Sequence, residues 1–225
     1  MRSFKDIYAI AAKRKGGPKE LEKLLAEHKP KSHAALTKIT DDRWLAAMTR
    51  CVFQAGFNWR VIENKWDGFE AAFGKFAVKP CAMLSEAKIE KLMNDTRIVR
   101  NGRKIMSVPA NASWLLSLAK EHGSAAKFFS DWPDQDYIGL LDVLKKNASG
   151  LGGGTAMYFL RRMGKPSFIT SRDVIARLIA EGVVDKEPSG KAATKKVQEA
   201  FNTWADQSGR DLTTISRTLA LSVGT

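Results

Sequence analysis

Hydrophobic residues recur at helical spacing along nearly the whole chain. Pro18, Thr40 and Ser85 each precede such a pattern and are placed to start or cap a helix. Further helices are predicted at residues 58–73, 101–121 with a kink at Pro109, 124–130, 135–147, 154–163, 172–181, 190–206 and 211–222. The strongest strand signal, at residues 168–170, is too short to found a sheet. The pattern predicts an all-α fold of about ten helices.

The strongly positive net charge of the chain indicates what kind of partner it binds. Its 225 residues contain 37 Lys and Arg against 24 Asp and Glu, a formal net charge of +13. Such an excess favours a polyanionic partner, either nucleic acid or an anionic membrane surface. With only Cys51 and Cys81, no secretory signal and no apolar run of about 20 residues, we expect a cytoplasmic protein without a membrane-spanning segment.

The first 38 residues differ in composition from the rest. Residues 1–33 contain nine Lys or Arg against four acidic residues. This segment is either a basic arm that contacts phosphates or a helical extension packed on the domain that follows. We therefore predict a basic helical extension at 1–38 and one helical domain at 39–225.

Residues 147–156 are the most unusual stretch, because four glycines fall within the five positions 150–154. Glycines are costly in conformational entropy, so a backbone requirement must explain them. A dinucleotide-binding loop would follow a strand, whereas residues 136–146 have a helical pattern, and a Walker loop would need a Gly-Lys pair. A flexible linker remains open. A hairpin between two helices would instead form a backbone nest for one phosphate, with Leu151 anchored in the core.

This stretch resembles the helix-hairpin-helix element of DNA glycosylases. That superfamily has a Gly-hydrophobic-Gly turn, a Thr-Ala pair, an apolar helix and then Gly-x-Pro. The matching residues here are Gly150-Leu151-Gly152, Thr155-Ala156, 157–160 and Gly164-Lys165-Pro166. The resemblance implies DNA contacts from Gly150, Leu151, Gly152, Gly154 and Thr155.

A second block is similar to the 3-methyladenine DNA glycosylase I branch of that superfamily. It carries a Gln-Ala-Gly motif, an aromatic helix, an Ile-Val-Arg motif ending in Lys-Ile, and an Asn-Ala pair. The matching residues are 54–59, 69–73, 98–105 and Asn111-Ala112. The resemblance covers residues 40–115 and, more loosely, 135–180.

The resemblance implies a monofunctional enzyme that flips an alkylated, 3-methyladenine-like base out of double-stranded DNA and hydrolyses its N-glycosidic bond. It implies no cofactor, and we expect a monomer. By matching position, Trp59 forms a wall of the base pocket, although a place in the core is equally open. Cys51 and Gln54 fall at the same pocket, Gln54 to contact the flipped nucleotide or the gap it leaves. Arg100 and Lys104 are expected to contact DNA.

Three departures from the branch bear on activity. The family has a glutamate where this chain has Cys51, and the superfamily has a catalytic aspartate where this chain has Ser171. Asp173 lies two residues further on and is our candidate catalytic residue, unless it serves only as an acid at a helix start. The two Cys and two His of the branch's zinc site have no counterpart, so we expect no metal.

Two other functions remain open. A structure-specific DNA-binding protein would keep the fold and lose the chemistry, which the missing carboxylates favour. A glycosylase for an uncharged lesion would need an acid that the sequence does not place.

Overall fold

The computed structural model describes residues 1–224, and the helices in it account for most of that length. The α-helices are, in chain order, α1 (Phe4–Arg14), α2 (Pro18–Ala26), α3 (His33–Leu36), α4 (Asp41–Gln54), α5 (Trp59–Asn64), α6 (Trp66–Ala72), α7 (Val78–Ala82), α8 (Glu86–Asn94), α9 (Gly102–His122), α10 (Ala125–Asp131), α11 (Tyr137–Asn147), α12 (Gly154–Met163), α13 (Arg172–Ala180), α14 (Gly190–Ser208) and α15 (Leu212–Ser222). No strand occurs within residues 1–224. The predicted all-α class is confirmed.

The fifteen helices found in this part of the chain exceed the predicted number of about ten. The predicted helix at 58–73 is two helices, α5 and α6, that meet at Lys65. Helices α3 and α7 have only four and five residues, which is too short for a 3.6-residue period to be visible in the sequence.

The local signals placed the starts of the longer helices well. Ser85 accepts a hydrogen bond from the backbone N–H of Lys88, and Pro18 is the first residue of α2. Helix α9 continues through Pro109 without a break, and the kink expected there stays a prediction. Burial of Ile105, Val108 and Ala112 on one face of α9 keeps it helical despite the backbone bond that a proline removes.

The contacts divide the described residues into two compact units. Unit 1 contains residues 1–31, 133–140 and 164–224, and unit 2 contains residues 32–132 and 141–163. Helix α11 begins in unit 1 and ends in unit 2. The division predicted at residue 38 followed a change in composition, whereas the contacts group residues 1–31 with the last helices of the chain.

Unit 1 is built on α15, against which α1, α13 and α14 pack. Phe4, Ile7 and Ala11 of α1 are buried, so the basic N-terminal segment is a packed part of this unit. The ring of Phe168 stacks on that of Phe201 with centroids 4.2 Å apart.

Unit 2 is built on the long helix α9, against which α4, α7, α8 and α10 pack, while α12 packs on α4. The ring of Trp44 stacks on that of Phe129 with centroids 4.6 Å apart, and Phe159 meets Trp44 edge-on. None of the helices within residues 1–224 is long and apolar enough to cross a membrane.

Candidate functional site

The glycine-rich stretch is a tight turn between α11 and α12 and lies in unit 2. Gly150 and Gly153 have φ of 80° and 54°, in the left-handed region that glycine adopts without strain. Leu151 is fully buried, as the sequence predicted for the anchor of the hairpin. A Cβ atom on Gly150 would lie 3.0 Å from the methyl groups of Val52, so the turn packs closely on α4.

The side chain of Asn111 on α9 ties this hairpin down. Its Nδ2 donates to the carbonyl of Ser149 over 3.0 Å, and its Oδ1 accepts from the N–H of Ser149 over 2.7 Å. The buried amide thus pairs with the backbone as a neighbouring peptide would. Asn111, the first residue of the Asn-Ala pair in the sequence motif, therefore has a structural role.

Gly152, Gly153 and Gly154 form the exposed edge of the hairpin. A Cβ atom at Gly152 would meet only the Cγ of Lys145, at 3.9 Å, and its φ is not in the left-handed region. A side chain at Gly152 therefore forces no unfavourable backbone angle; that constraint acts at Gly150 and Gly153. Thr155 is half-buried in the first turn of α12. Contact of this edge with a phosphate remains a prediction.

A cavity of about 330 Å³ adjoins the hairpin and is lined by Ser149, Gly150, Val52, Ala55 and residues of the first turns of α9. The Nζ of Lys104 lies here and donates to the carbonyls of Phe53 and Ala55, over 3.1 and 2.7 Å. Partial burial lowers the pKa of Lys104.

Of the two cations predicted to contact DNA, Lys104 is thus engaged with the backbone at the end of α4. Its ammonium satisfies two carbonyls that the helix end leaves free. Arg100 is exposed next to the start of α9, and Arg103 lines the cavity. Arg103 is a cation at this position that the sequence analysis did not single out.

Two side-chain pairs connect α5 with α12 in unit 2. The rings of Trp59 and Tyr158 meet at right angles with centroids 5.2 Å apart, and we call them the aromatic pair. One helical turn further along both helices, an Oε1 of Glu63 lies 3.6 Å from a guanidinium nitrogen of Arg162. Because residues four apart share a face of a helix, the two pairs form adjacent layers.

The aromatic pair is accessible from solvent. Trp59 is 47% exposed and Tyr158 42% exposed, while the largest fully buried side chains include ten of the chain's other aromatic residues. A core position for Trp59 is therefore excluded. Its predicted role as a wall of a base pocket remains a prediction, and Tyr158 joins it as a second wall.

Helix α4 brings further polar groups to Glu63 and Arg162. A guanidinium nitrogen of Arg50 lies 3.2 Å from Oε2 of Glu63, and the Arg50 guanidinium carbon lies 3.8 Å from the centre of the Trp66 ring. Gln54 donates from Nε2 to Glu63 over 2.7 Å and accepts at Oε1 from Arg162 over 3.2 Å. We call Arg50, Gln54, Glu63 and Arg162 the charged cluster.

Gln54 lies at the last turn of α4, next to the charged cluster's other members. Its side chain is buried, and both ends of its amide are engaged inside the charged cluster. In this position the amide orients Glu63 and Arg162, and the predicted contact of Gln54 with the flipped nucleotide or the gap remains a prediction.

Cys51 is buried beside the charged cluster. Burial raises the pKa of its thiol to about 11, which the neighbouring Arg162 and Arg50 only partly oppose. The thiol is therefore protonated and uncharged at neutral pH. Where the similar family has a carboxylate, this chain has a neutral group, and the negative charge nearby comes from Glu63 on another helix.

The position of the superfamily aspartate lies in unit 1. Ser171 caps α13, with its Oγ accepting from the backbone N–H of Val174. Asp173 lies in the first turn of the same helix and is half-buried. Ser171 is the cap and Asp173 is the acidic residue of the first turn, which fits the alternative role of an acid at a helix start, and its catalytic role remains a prediction.

Candidate metal ligands are scattered in the part of the chain that the structure describes. Within residues 1–224, no group of three or more His, Cys, Asp or Glu side chains is placed to hold a metal ion.

Comparison with known proteins agrees with this architecture. Residues 35–142 match the family model described as methyladenine glycosylase. A crystal structure of 3-methyladenine DNA glycosylase I is similar with a TM-score of 0.50 at 21% identity, over 61% of this chain and 82% of the other. The crystal structure of Methanocaldococcus jannaschii 8-oxoguanine DNA glycosylase is similar with a TM-score of 0.54 at 15% identity, over 96% and 90%.

The chain has the fold of a helical DNA glycosylase. The resemblance to 3-methyladenine DNA glycosylase I that the sequence motifs indicated is confirmed, over residues 35–142. The similarity to the 8-oxoguanine glycosylase extends to its complex with a 15mer DNA containing 8-oxoguanine, with a TM-score of 0.51 at 16% identity. The glycosylase fold therefore spans both units and includes the hairpin, which lies beyond the end of the family match.

Arg50, Glu63, Tyr158 and Arg162 are candidate site residues that the sequence analysis missed. The spacing of Trp59 from Glu63 and of Tyr158 from Arg162 is visible in the sequence and could have flagged a shared face. That these two faces meet each other depends on how α5 and α12 pack, which no local pattern encodes.

Proposed function

We propose that this protein is a monofunctional DNA glycosylase that flips a damaged base out of duplex DNA and hydrolyses its N-glycosidic bond. The observation that carries the proposal is the exposed aromatic pair, Trp59 and Tyr158, in a chain with the glycosylase fold. Enzymes that act on a base within a duplex must extrude it and hold it against aromatic faces. The match to the methyladenine glycosylases makes an alkylated adenine the first substrate to test.

The DNA backbone is held, in this proposal, by the hairpin and the cations around it. Backbone N–H groups at the exposed glycines approach one phosphate, and Arg100 and Arg103 add positive charge nearby. Most of the binding energy then comes from neutralised phosphates and carries no base sequence information.

Cleavage of the bond transfers its electron pair to the departing base and leaves a cationic sugar that water attacks. We assign Asp173 to orient this water or to stabilise the sugar cation, since it is the carboxylate nearest in sequence to the superfamily position. Asp173→Asn should lower the single-turnover rate at least tenfold with DNA affinity unchanged, because charge is lost and shape is kept. Asp142→Asn, which alters an exposed acid on α11, is the matched control.

The proposal is tested by incubating duplexes that contain 3-methyladenine or 1,N6-ethenoadenine, a cationic and an uncharged alkylated adenine, with the protein and identifying the free bases by chromatography. Release of a modified base, with abasic sites left in the DNA, is expected. Lesion-selective binding without release would favour the second candidate, a structure-specific DNA-binding protein. Cys51 and Ser171, which stand where similar enzymes have carboxylates, are the observation that favours it.

A further inference from the structure

The charged cluster carries an excess of positive charge next to the aromatic pair. Two guanidinium groups, those of Arg50 and Arg162, share the single carboxylate of Glu63. The nearby carboxylate of Glu70 accepts two hydrogen bonds from Arg43 and one from the indole N–H of Trp66, and Arg43 is shared in turn with Asp42. The charged cluster itself, with two guanidinium groups against the one carboxylate of Glu63, has a net charge of about +1 at neutral pH.

This charge opposes the binding of a cationic base. A base methylated at a ring nitrogen that remains attached to the sugar carries a fixed positive charge, which a pocket carboxylate would stabilise. Cys51 supplies no such charge, since it is a buried thiol. The side chains of Arg50 and Arg162 are only 21% and 33% exposed, so water screens their repulsion of a second cation incompletely.

We infer that the site formed by the aromatic pair and the charged cluster takes an uncharged damaged base whose edge offers hydrogen-bond acceptors. This inference rests on the proposed glycosylase function and names its substrate class. An uncharged purine derived from adenine, such as 1,N6-ethenoadenine or hypoxanthine, fits it, and N-methylated cationic purines do not.

The arrangement of the two layers supports this assignment. Glu63 and Arg162 lie one helical turn from Trp59 and Tyr158, which is close enough to meet the edge of a base held by the aromatic pair. Each guanidinium has several N–H donors in one plane, and those that do not contact Glu63, Gln54 or Cys51 remain for an acceptor on the base. Glu63 and Gln54 hold the guanidinium of Arg162 in place before the base arrives.

The positive charge of the cluster can also stabilise an uncharged base as it leaves, because such a base becomes negatively charged when its bond to the sugar breaks. When the bond from C1′ to the base nitrogen breaks, its electron pair goes to the base, which departs as an anion. A fixed guanidinium near the base stabilises this developing negative charge, and water then adds to C1′ and loses a proton. The departing base takes up a proton from solvent, so that the products are the neutral free base and an abasic sugar.

The inference is tested with four duplexes that differ only in the damaged base: 1,N6-ethenoadenine, hypoxanthine, 3-methyladenine and 7-methylguanine. Base release and equilibrium binding are measured on each. We expect the two uncharged bases to be released, or bound relative to undamaged duplex, at least tenfold better than the two cationic ones. Arg162→Gln should reduce that ratio at least fivefold, whereas Arg60→Gln, which removes an exposed charge from α5 outside the cluster, should leave it unchanged.

A second pair of variants tests the effect of a negative charge at position 51. Cys51→Glu places a carboxylate where the similar family has one, and Cys51→Gln places the same shape without charge. Cys51→Glu should shift the preference toward the cationic bases and Cys51→Gln should not, with circular dichroism confirming that both fold.

The outcomes separate the inference from the function on which it rests. Preferential release or binding of 3-methyladenine and 7-methylguanine by the native protein would overturn the inference and leave the glycosylase function intact. The absence of both release and lesion-selective binding on all four duplexes would overturn both. Lesion-selective binding of the uncharged bases, with or without release, supports the inference.

Discussion

The amide of Asn111 pairs with the backbone of Ser149 through two hydrogen bonds, of 3.0 and 2.7 Å, across 38 residues of sequence. Through this pair, helix α9 determines where the glycine hairpin lies in unit 2. The hairpin is therefore not a flexible linker between α11 and α12. Ser149 at its start is bonded to α9, and Leu151 is buried.

Removing the Asn111 amide should destabilise the protein. In Asn111→Ala the N–H and carbonyl of Ser149 lose their partners, at a cost of about 2 kcal/mol in the free energy of unfolding. Denaturant titration measures this loss. Asn147→Ala, which removes an exposed amide that bonds only within α11, is the control and should cost less than about 0.5 kcal/mol. Equal losses in the two variants would show that the Asn111 pair is not special.

The glycines of the hairpin should separate into a structural and a functional class. Gly150→Ala should lower the melting temperature, because φ there is 80° and a Cβ atom would press on Val52. Gly152→Val should leave the melting temperature nearly unchanged, since neither its backbone angle nor its surroundings exclude a side chain. It should nevertheless weaken DNA binding at least tenfold by blocking the approach of a phosphate. Full DNA affinity in Gly152→Val would remove the hairpin from the interface.

The buried thiol of Cys51 should make stability depend on pH in the alkaline range. Its pKa in the folded state is about 11, above the ordinary value of 9.0, because burial disfavours the thiolate. A pKa raised on folding contributes stability that is fully present below about pH 9 and is lost as the pH rises through 11.

The measurement is the free energy of unfolding at pH 8 and pH 10.5 for the native protein and for Cys51→Val. The native protein should lose about 2 kcal/mol more than the variant over this interval. Cys81, whose thiol has a similarly raised pKa, is present in both proteins, so its contribution cancels. Parallel losses in the two proteins would contradict the assignment.

DNA binding should weaken with salt. The net charge of +13 and the exposed arginines near the hairpin favour neutralisation of phosphates, and we take about five as the number on binding. The affinity for an undamaged duplex should then fall more than tenfold between about 50 and 200 mM salt. Fluorescence anisotropy with a labelled duplex measures this, and a flat response would contradict backbone-driven binding.

The parts of the molecule that follow from local pattern could be predicted from the sequence. The all-α class, the start of α2 at Pro18, the cap at Ser85 and the buried anchor Leu151 all depend on nearby residues. The short helices α3 and α7 could not, since they contain hardly more than one helical turn.

Only part of the candidate site could be predicted from the sequence, because its residues come from several helices. Trp59 and Cys51 could be placed by their motif, whereas Glu63 is separated in sequence from its partners Arg50 and Arg162. Such a cluster forms only when α4, α5 and α12 pack together. The motif position of Gln54 predicts a contact with the flipped nucleotide, but it does not reveal the arginine and the glutamate that bond its amide.

The measurement that tests the central claim most directly is single-turnover release of a damaged base by the native protein and by Trp59→Ala. Trp59 is exposed and contributes little to the core, so the variant should fold and bind undamaged DNA like the native protein. The account predicts that the native protein releases the base and that Trp59→Ala does so at least a hundredfold more slowly, because the flipped base loses its stacking face. Release by Trp59→Ala at the native rate, or no release by the native protein, would contradict it.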